Sequence, residues 1–189
     1  MTLINVNLET FIRTTINQKH NVIERHKWGT KTPVANKLVK DWNFDSIVLH
    51  HSGNDGKTDP VEIEQYHMTK KGWDDVGYHY LIHSNGTIYE GRKIFHKGSH
   101  VAGANTGKIG ILLMGDFDEQ WWDVDDNLSK THLAATNRLI ATIKSQFPHS
   151  IRKLGGHKEY LPNKGYSCPG NQVMDKINEM RKKHGLSKP

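Results

Sequence analysis

The chain has little that would hold it together covalently or seat it in a bilayer. One cysteine stands among 189 residues, and a single thiol closes no internal disulfide. Apolar runs are short. The longest aliphatic one is Ile111 to Met114, whereas a membrane-spanning helix needs about 20 apolar residues, so no membrane insertion is expected. The opening Met1-Thr2-Leu3-Ile4-Asn5 has no basic cap followed by an apolar stretch, and no secretory signal is read there. Internal repeats and low-complexity tracts are lacking too. What remains is a length suited to one domain with a real hydrophobic core.

Histidine is in excess, with 13 imidazoles beside the lone thiol. That pairing suits metal or acid–base chemistry, although surface or packing roles are the ordinary ones for any single His. The net charge of +6 suits an anionic partner such as nucleic acid, an acidic polymer or a membrane surface. It is spread along the chain, with local excess at Lys70-Lys71 and from Arg181 to Lys183. No nucleic-acid-binding motif accompanies it, so no nucleic-acid partner is expected.

Apolar periodicity reads a first helix over Leu8 to Ile23, from Leu8, Phe11, Ile12, Ile16 and Val22. Asn36 to Asn43 reads as a connection. Ser46 to His51 is a short β-branched run, a buried strand whose C-terminal end presents His50. Asp59-Pro60 supplies a cap and a first-turn proline for a helix that Gly72 stops. Gly77 to His83 and Thr87 to Arg92 pair as a hairpin around Ser84-Asn85-Gly86-Thr87. Lys108 to Gly115 reads as a central strand. Ser129 opens an amphipathic helix that Pro148 ends. Ile151 to Leu154 is a short strand, and Val173 to Met180 the last helix. This interspersion predicts a single α/β domain, a central mixed sheet flanked by helices.

Three residues suited to one metal ion fall at the ends of elements. His50 ends the first strand, His157 follows Gly155-Gly156, and Cys168 stands in Tyr166-Ser167-Cys168-Pro169-Gly170. Zinc accepts imidazole and thiolate, and catalytic zinc keeps three protein ligands and one open position. By spacing alone a lone Cys is more often a small buried hydrophobe than a ligand. His79 and His83 have the spacing of a helical metal pair, but Gly77 and the aromatic filling make them strand residues, structural or cleft-lining. Trp121-Trp122 reads either as a sugar-stacking pair or as packing beside Asp118, Glu119 and Asp123.

The surrounding residues add a resemblance. Arg25-His26-Lys27-Trp28-Gly29 with Pro33 resembles an Arg-x-x-Trp-Gly entry segment, and Ile47 to Ser52 a first metal strand. Trp73 to His79 followed by Asn85 to Arg92 is the most specific block. Gly98 to Asn105 with Ile109-Gly110-Ile111, then Gly156-His157 and Cys168-Pro169-Gly170, complete the order. From about Ile23 to Gly170 the chain resembles the type 2 N-acetylmuramoyl-L-alanine amidases, the superfamily of small phage amidases and peptidoglycan recognition proteins.

That resemblance implies a zinc-dependent hydrolase of the amide between N-acetylmuramic acid and the L-alanine of the stem peptide. It implies Zn²⁺ held by His50, His157 and Cys168, with Tyr78 beside it, hydrogen-bonding the water or the oxyanion. His51, Trp73, His100 and Asn105 would line the substrate cleft. Many relatives carry Lys or Thr two positions before the last ligand. Here that residue is Tyr166, so the second catalytic group is either Tyr166 or Lys164. Relatives with a carboxylate in the Ile-Gly-Ile strand have Glu where this chain has Leu112, which implies the phage and recognition-protein style of site. The domain would span residues 23–183, after an N-terminal extension or helix (1–22) and before a tail (184–189). The implied partner is bacterial peptidoglycan, met by a monomer made in the cytoplasm and acting on the wall after release or delivery, as a lysin or effector does. The alternative is a peptidoglycan-binding module without catalysis. Such relatives characteristically lose the cysteine, which this chain keeps.

Overall fold

The computed structural model describes residues 3–53, 59–118 and 126–189, and the Trp121-Trp122 pair lies outside them. Its elements run α1 (Leu3–Lys19), α2 (Arg25–Trp28), β1 (Ser46–His51), α3 (Pro60–Glu64, continued by a π-turn over Gln65–Lys70), β2 (Tyr80–Ile82), β3 (Ile88–Glu90), β4 (Lys108–Leu113), α4 (Lys130–Gln146), β5 (Lys153–Gly156), α5 (His157–Tyr160) and α6 (Asn171–His184).

Every residue of β1 is buried, as a strand covered on both faces requires, and its Ile47-Val48-Leu49 run is the sequence mark of that position. The sheet order is β3-β2-β4-β1-β5. β1 is parallel to β4 and β5, β2 is parallel to β4, and β2 and β3 are antiparallel. The sheet is mixed, as expected. Side chains alternate across it. Ile47, Leu49, Ile111 and Leu113 face Leu139, Ile140 and Ile143 of α4 and Val173 and Ile177 of α6. Leu112 and Met114 face the opposite way, toward Ile63, Val76 and Leu81. His50 lies in register with Leu112 and shares its face, whereas His51 points to the α4 side. Among the described residues no helix is long and apolar enough to cross a membrane.

Several boundaries differ from expectation: α1 is Leu3–Lys19 where the periodicity reads Leu8 to Ile23, β3 keeps only Ile88–Glu90 of Thr87 to Arg92, β4 ends at Leu113, and β2 and β5 differ as well. Regular pairing in β2 covers only Tyr80–Ile82. Gly77, Tyr78 and His79 turn aside, and Gly91 and Arg92 still donate backbone bonds to the His79 and Tyr78 carbonyls. β5 is Lys153–Gly156, later than the Ile151 to Leu154 run suggests, and pairs Gly155 with Val48 and Gly156 with Leu49. Glycine's poor strand propensity hides it there. Its smallness is what the position needs: a Cβ on Gly156 would sit 2.5 Å from Pro169 Cδ and 2.6 Å from Met174 Sδ. The loop carrying Cys168 therefore packs flush against the strand end.

α1 is part of the core. Ile12 and Ile16 are buried, while Leu8 and Phe11 are 46% and 65% exposed. Arg13 fastens the helix to β3. Its Nε and Nη2 donate to the two oxygens of buried Glu90 at 2.5 and 2.6 Å, and Nη2 also reaches Glu24 at 2.7 Å. Removing one partner of such a pair strands the other charge. Arg13→Met is expected to cost about 3 kcal/mol, the lower end for a broken buried pair because Arg13 is partly exposed. A urea melt reads this directly, and an unchanged midpoint would contradict it.

Candidate functional site

The C-terminal ends of β1 and β5 bring two histidines together, and the loop before α6 adds the cysteine. One ligand atom each from His50, His157 and Cys168 lies within 4.8 Å of the others. Cys168 Sγ is 3.6 Å from His50 Nδ1. A tetrahedral zinc with ordinary bond lengths sets an N and an S about 3.6 Å apart. His157 Nε2 is buried without a hydrogen-bond partner among the described residues. The His157 ring lies 4.7 Å from that of His50, so two imidazoles and a thiol converge on one point. The donor set thus fits a zinc ion.

The sequence builds each position for a local reason. His157 opens α5 where Glu159 accepts the Gly156 N–H at 3.0 Å. Glu159 in turn is held by the Arg181 guanidinium, whose Nε donates to the Leu154 carbonyl at 2.8 Å. Cys168 is fixed by its carbonyl, which accepts from Lys158 N at 2.9 Å. Gly170 has φ 87, and a Cβ there would meet the Phe117 carbonyl at 2.4 Å, so only glycine makes the turn from Cys168 into α6.

Burial sets the protonation states. It holds His50 well below the ordinary imidazole range, helped by His100 and His157, so His50 is neutral and competent as a ligand. Burial pushes the Cys168 thiol up to about 12, so a thiolate there requires a cation close by. Tyr78 lies with its ring 5.0 Å from that of His50. Burial and then Cys168 raise its phenol, keeping it a protonated donor.

The other expected site residues take different places. Tyr166 stacks on His157, with ring centroids 4.6 Å apart and planes at 20°, while Lys164 is exposed on the Pro162–Lys164 turn. Trp73 stacks on His67 at 4.6 Å, and His67 lies 5.4 Å from Tyr78. Asn105 Oδ1 accepts the backbone N–H groups of His100 and Val101, both at 2.7 Å, and so closes its own loop. His100 is 7% exposed and lies behind His50. His51, also 7% exposed, sits between Asp116 and Asp118 at 3.6 and 3.8 Å, on the α4 side of the sheet. His51, Asp116 and Asp118 form a second group of close ligand atoms. The His51 Nδ1 accepts the Phe117 N–H at 3.2 Å.

Sequence reasoning missed His67 and the Asp116–Asp118 pair. The alternation of Asp116-Phe117-Asp118 after a central strand was the available signal for the second. Tyr66 lines an open cleft of about 760 Å³ with Thr30, Lys31, Glu62, Gln65 and Lys70. Its ring is 5.9 Å from His67, so aromatic rings connect that cleft to Tyr78 and His50.

His79 has a structural part. Its Nδ1 accepts the Gly110 N–H at 2.9 Å and its Nε2–H donates to the His96 carbonyl at 2.8 Å. Burial pushes this imidazole from 6.5 down to about 4. Between those values the unfolded chain binds a proton that the folded one refuses, so stability falls as pH drops through the window. The loss from this group is about 3 kcal/mol. Thermal melts from pH 7 to 4 should show the fall, and it should shrink in His79→Asn. Identical slopes in the two proteins would remove His79 as the cause.

Comparison with known proteins agrees with this architecture. Residues 40–171 match the family described as N-acetylmuramoyl-L-alanine amidase. The endolysin of Klebsiella phage KP32 is 33% identical over 135 residues, 70% of this chain and 85% of that one. Peptidoglycan-recognition protein SC2 of Drosophila melanogaster is 26% identical over 163 residues, 82% of this chain and 84% of that one. The structure of the N-acetylmuramoyl-L-alanine amidase LysC from Clostridium intestinale superposes with a TM-score of 0.71 at 26% identity, covering 88% of this chain and 98% of that one. With most of its length matched, this chain belongs to the N-acetylmuramoyl-L-alanine amidase family.

Proposed function

We propose that the protein is a zinc-dependent peptidoglycan hydrolase that cuts the amide between N-acetylmuramic acid and the L-alanine of the stem peptide. The observation that carries this reading is the convergence of His50, His157 and Cys168, whose ligand atoms lie within 4.8 Å of one another, with Cys168 Sγ 3.6 Å from His50 Nδ1. Similarity to an endolysin and to an amidase structure supports the choice of bond.

Zinc bound there would lower the pKa of a water to about 7 and polarise the scissile carbonyl. The chain's own residues do the rest. His50 and His157, kept neutral by burial, offer lone pairs. Tyr78, kept protonated, donates its hydroxyl proton to the oxygen that gains charge as the carbonyl becomes tetrahedral. Tyr166, stacked on His157, is better placed than Lys164 to supply a second donor. The open cleft lined by Tyr66 lies one histidine ring away from Tyr78, and its Lys31 and Lys70 suit acidic groups of the polymer.

The test is a digest of purified sacculi. New L-alanine amino termini, lost on chelation and restored by zinc, are the expected result. Binding to sacculi without release of any such amine would favour the non-catalytic binding module.

A further inference from the structure

His100 sits directly behind His50, and the two rings share a hydrogen bond of 3.0 Å between His50 Nε2 and His100 Nδ1. Which nitrogen donates is settled one step further on. His100 Nε2 lies 3.4 Å from the Lys108 carbonyl. A carbonyl only accepts, so His100 carries its proton on Nε2. A neutral imidazole carries one N–H, so with Nε2–H on the carbonyl the Nδ1 of His100 is a bare acceptor. His50 must therefore carry its proton on Nε2 and leave Nδ1 bare. That bare Nδ1 is the atom 3.6 Å from Cys168 Sγ.

The surroundings are shaped for this arrangement. A Cβ on Gly98 would lie 2.3 Å from His100 Cδ2, and one on Gly110 2.7 Å from the same ring. The two glycines cut the slot that the imidazole fills. Asn105 clamps the backbone N–H groups of His100 and Val101 and holds the ring at that depth. His79 meets the His100 ring edge-on at 5.7 Å, and its own tautomer is fixed by Gly110 and His96.

We propose that His100 is a positioning residue for the metal centre: through the Lys108 carbonyl it fixes the tautomer and ring plane of His50, so that His50 Nδ1 is always the free donor. Partners of this kind, which hold the second nitrogen of a ligating histidine, commonly set metal affinity by 10–100-fold. The inference rests on the metal reading given under Proposed function, and it adds a role to a residue whose sequence context pointed to the substrate cleft.

The experiment compares wild type, His100→Asn and His100→Leu. Asn can place a side-chain oxygen where His Nδ1 stood and still accept from His50, whereas Leu fills space and accepts nothing. Zinc affinity by chelator competition should fall about 10–100-fold in His100→Leu and stay close to wild type in His100→Asn. A role in packing alone predicts the reverse order, and that order would overturn the proposal. Long-range ¹H–¹⁵N spectra of the imidazoles give a readout independent of affinity and of any variant's folding. Wild-type protein, zinc-loaded or chelator-treated, should show His50 with its proton on Nε2. A proton on Nδ1 in the chelator-treated wild type would refute the tautomer argument. Wild-type protein that binds no zinc would instead sink the metal reading while leaving the tautomer result to stand or fall by itself.

Discussion

Cys168→Ala is expected to lose zinc affinity by a factor on the order of 10³ and to release no stem peptides from sacculi. The magnitude follows from the ligand set. A thiolate zinc site binds with about 10–16 kcal/mol in all, and a site of three protein ligands loses a large share of that with its single charged one. The buried position adds to the effect. With the thiol gone, His50 Nδ1 would face a void. The fold itself should survive, because Cys168 is bounded by Gly170, Pro169 and the Lys158 bond to its carbonyl, none of which needs the sulfur. Equilibrium dialysis with metal analysis measures the first effect, and a circular dichroism melt checks the second. Full zinc content in Cys168→Ala would remove the residue from the ligand set.

Tyr78→Phe should separate binding from catalysis. The ring keeps its contacts with His50, His67 and His100, so metal content and stability should be unchanged. Only the hydroxyl is lost. A donor aimed at a developing oxyanion is typically worth about 10²–10³ in rate, because the site is dry and the donor needs no reorganisation. The loss should appear in kcat, with KM little altered, since a neutral carbonyl accepts a weaker hydrogen bond than an oxyanion. A variant with wild-type kcat would leave Tyr78 as a packing residue of the strand entry.

Much of this was legible in the chain itself. β1 was readable to its ends because Ile47-Val48-Leu49 is an unbroken apolar run with His50-His51 after it. Ser129 and Asp59 announced helix starts by their capping chemistry, and both side chains do accept the expected backbone N–H. The glycine-bearing strands were harder. Gly155 and Gly156 belong to β5 although nothing in their propensity says so, because close approach of Pro169 and Met174 outweighs it. The grouping of His50, His157 and Cys168 was a modest signal from their place at the ends of elements, and the family resemblance is what strengthened it. The second nitrogen of His50 was beyond sequence reasoning. Its partner, His100, lies fifty positions away on a loop, and only the folded chain seats that ring between His50 and the Lys108 carbonyl. His51 shows the converse case. Adjacent in sequence to the proposed ligand His50, it points to the other face of the sheet simply because strand side chains alternate.

The most direct test of the whole account is mass spectrometry of sacculi digested by zinc-loaded protein, with a chelator-treated sample beside it. Free stem peptides beginning at L-alanine and glycan strands with bare lactyl groups are expected in the first sample and neither in the second. Intact stem-to-glycan amides in both, with zinc bound at His50, His157 and Cys168, would contradict it.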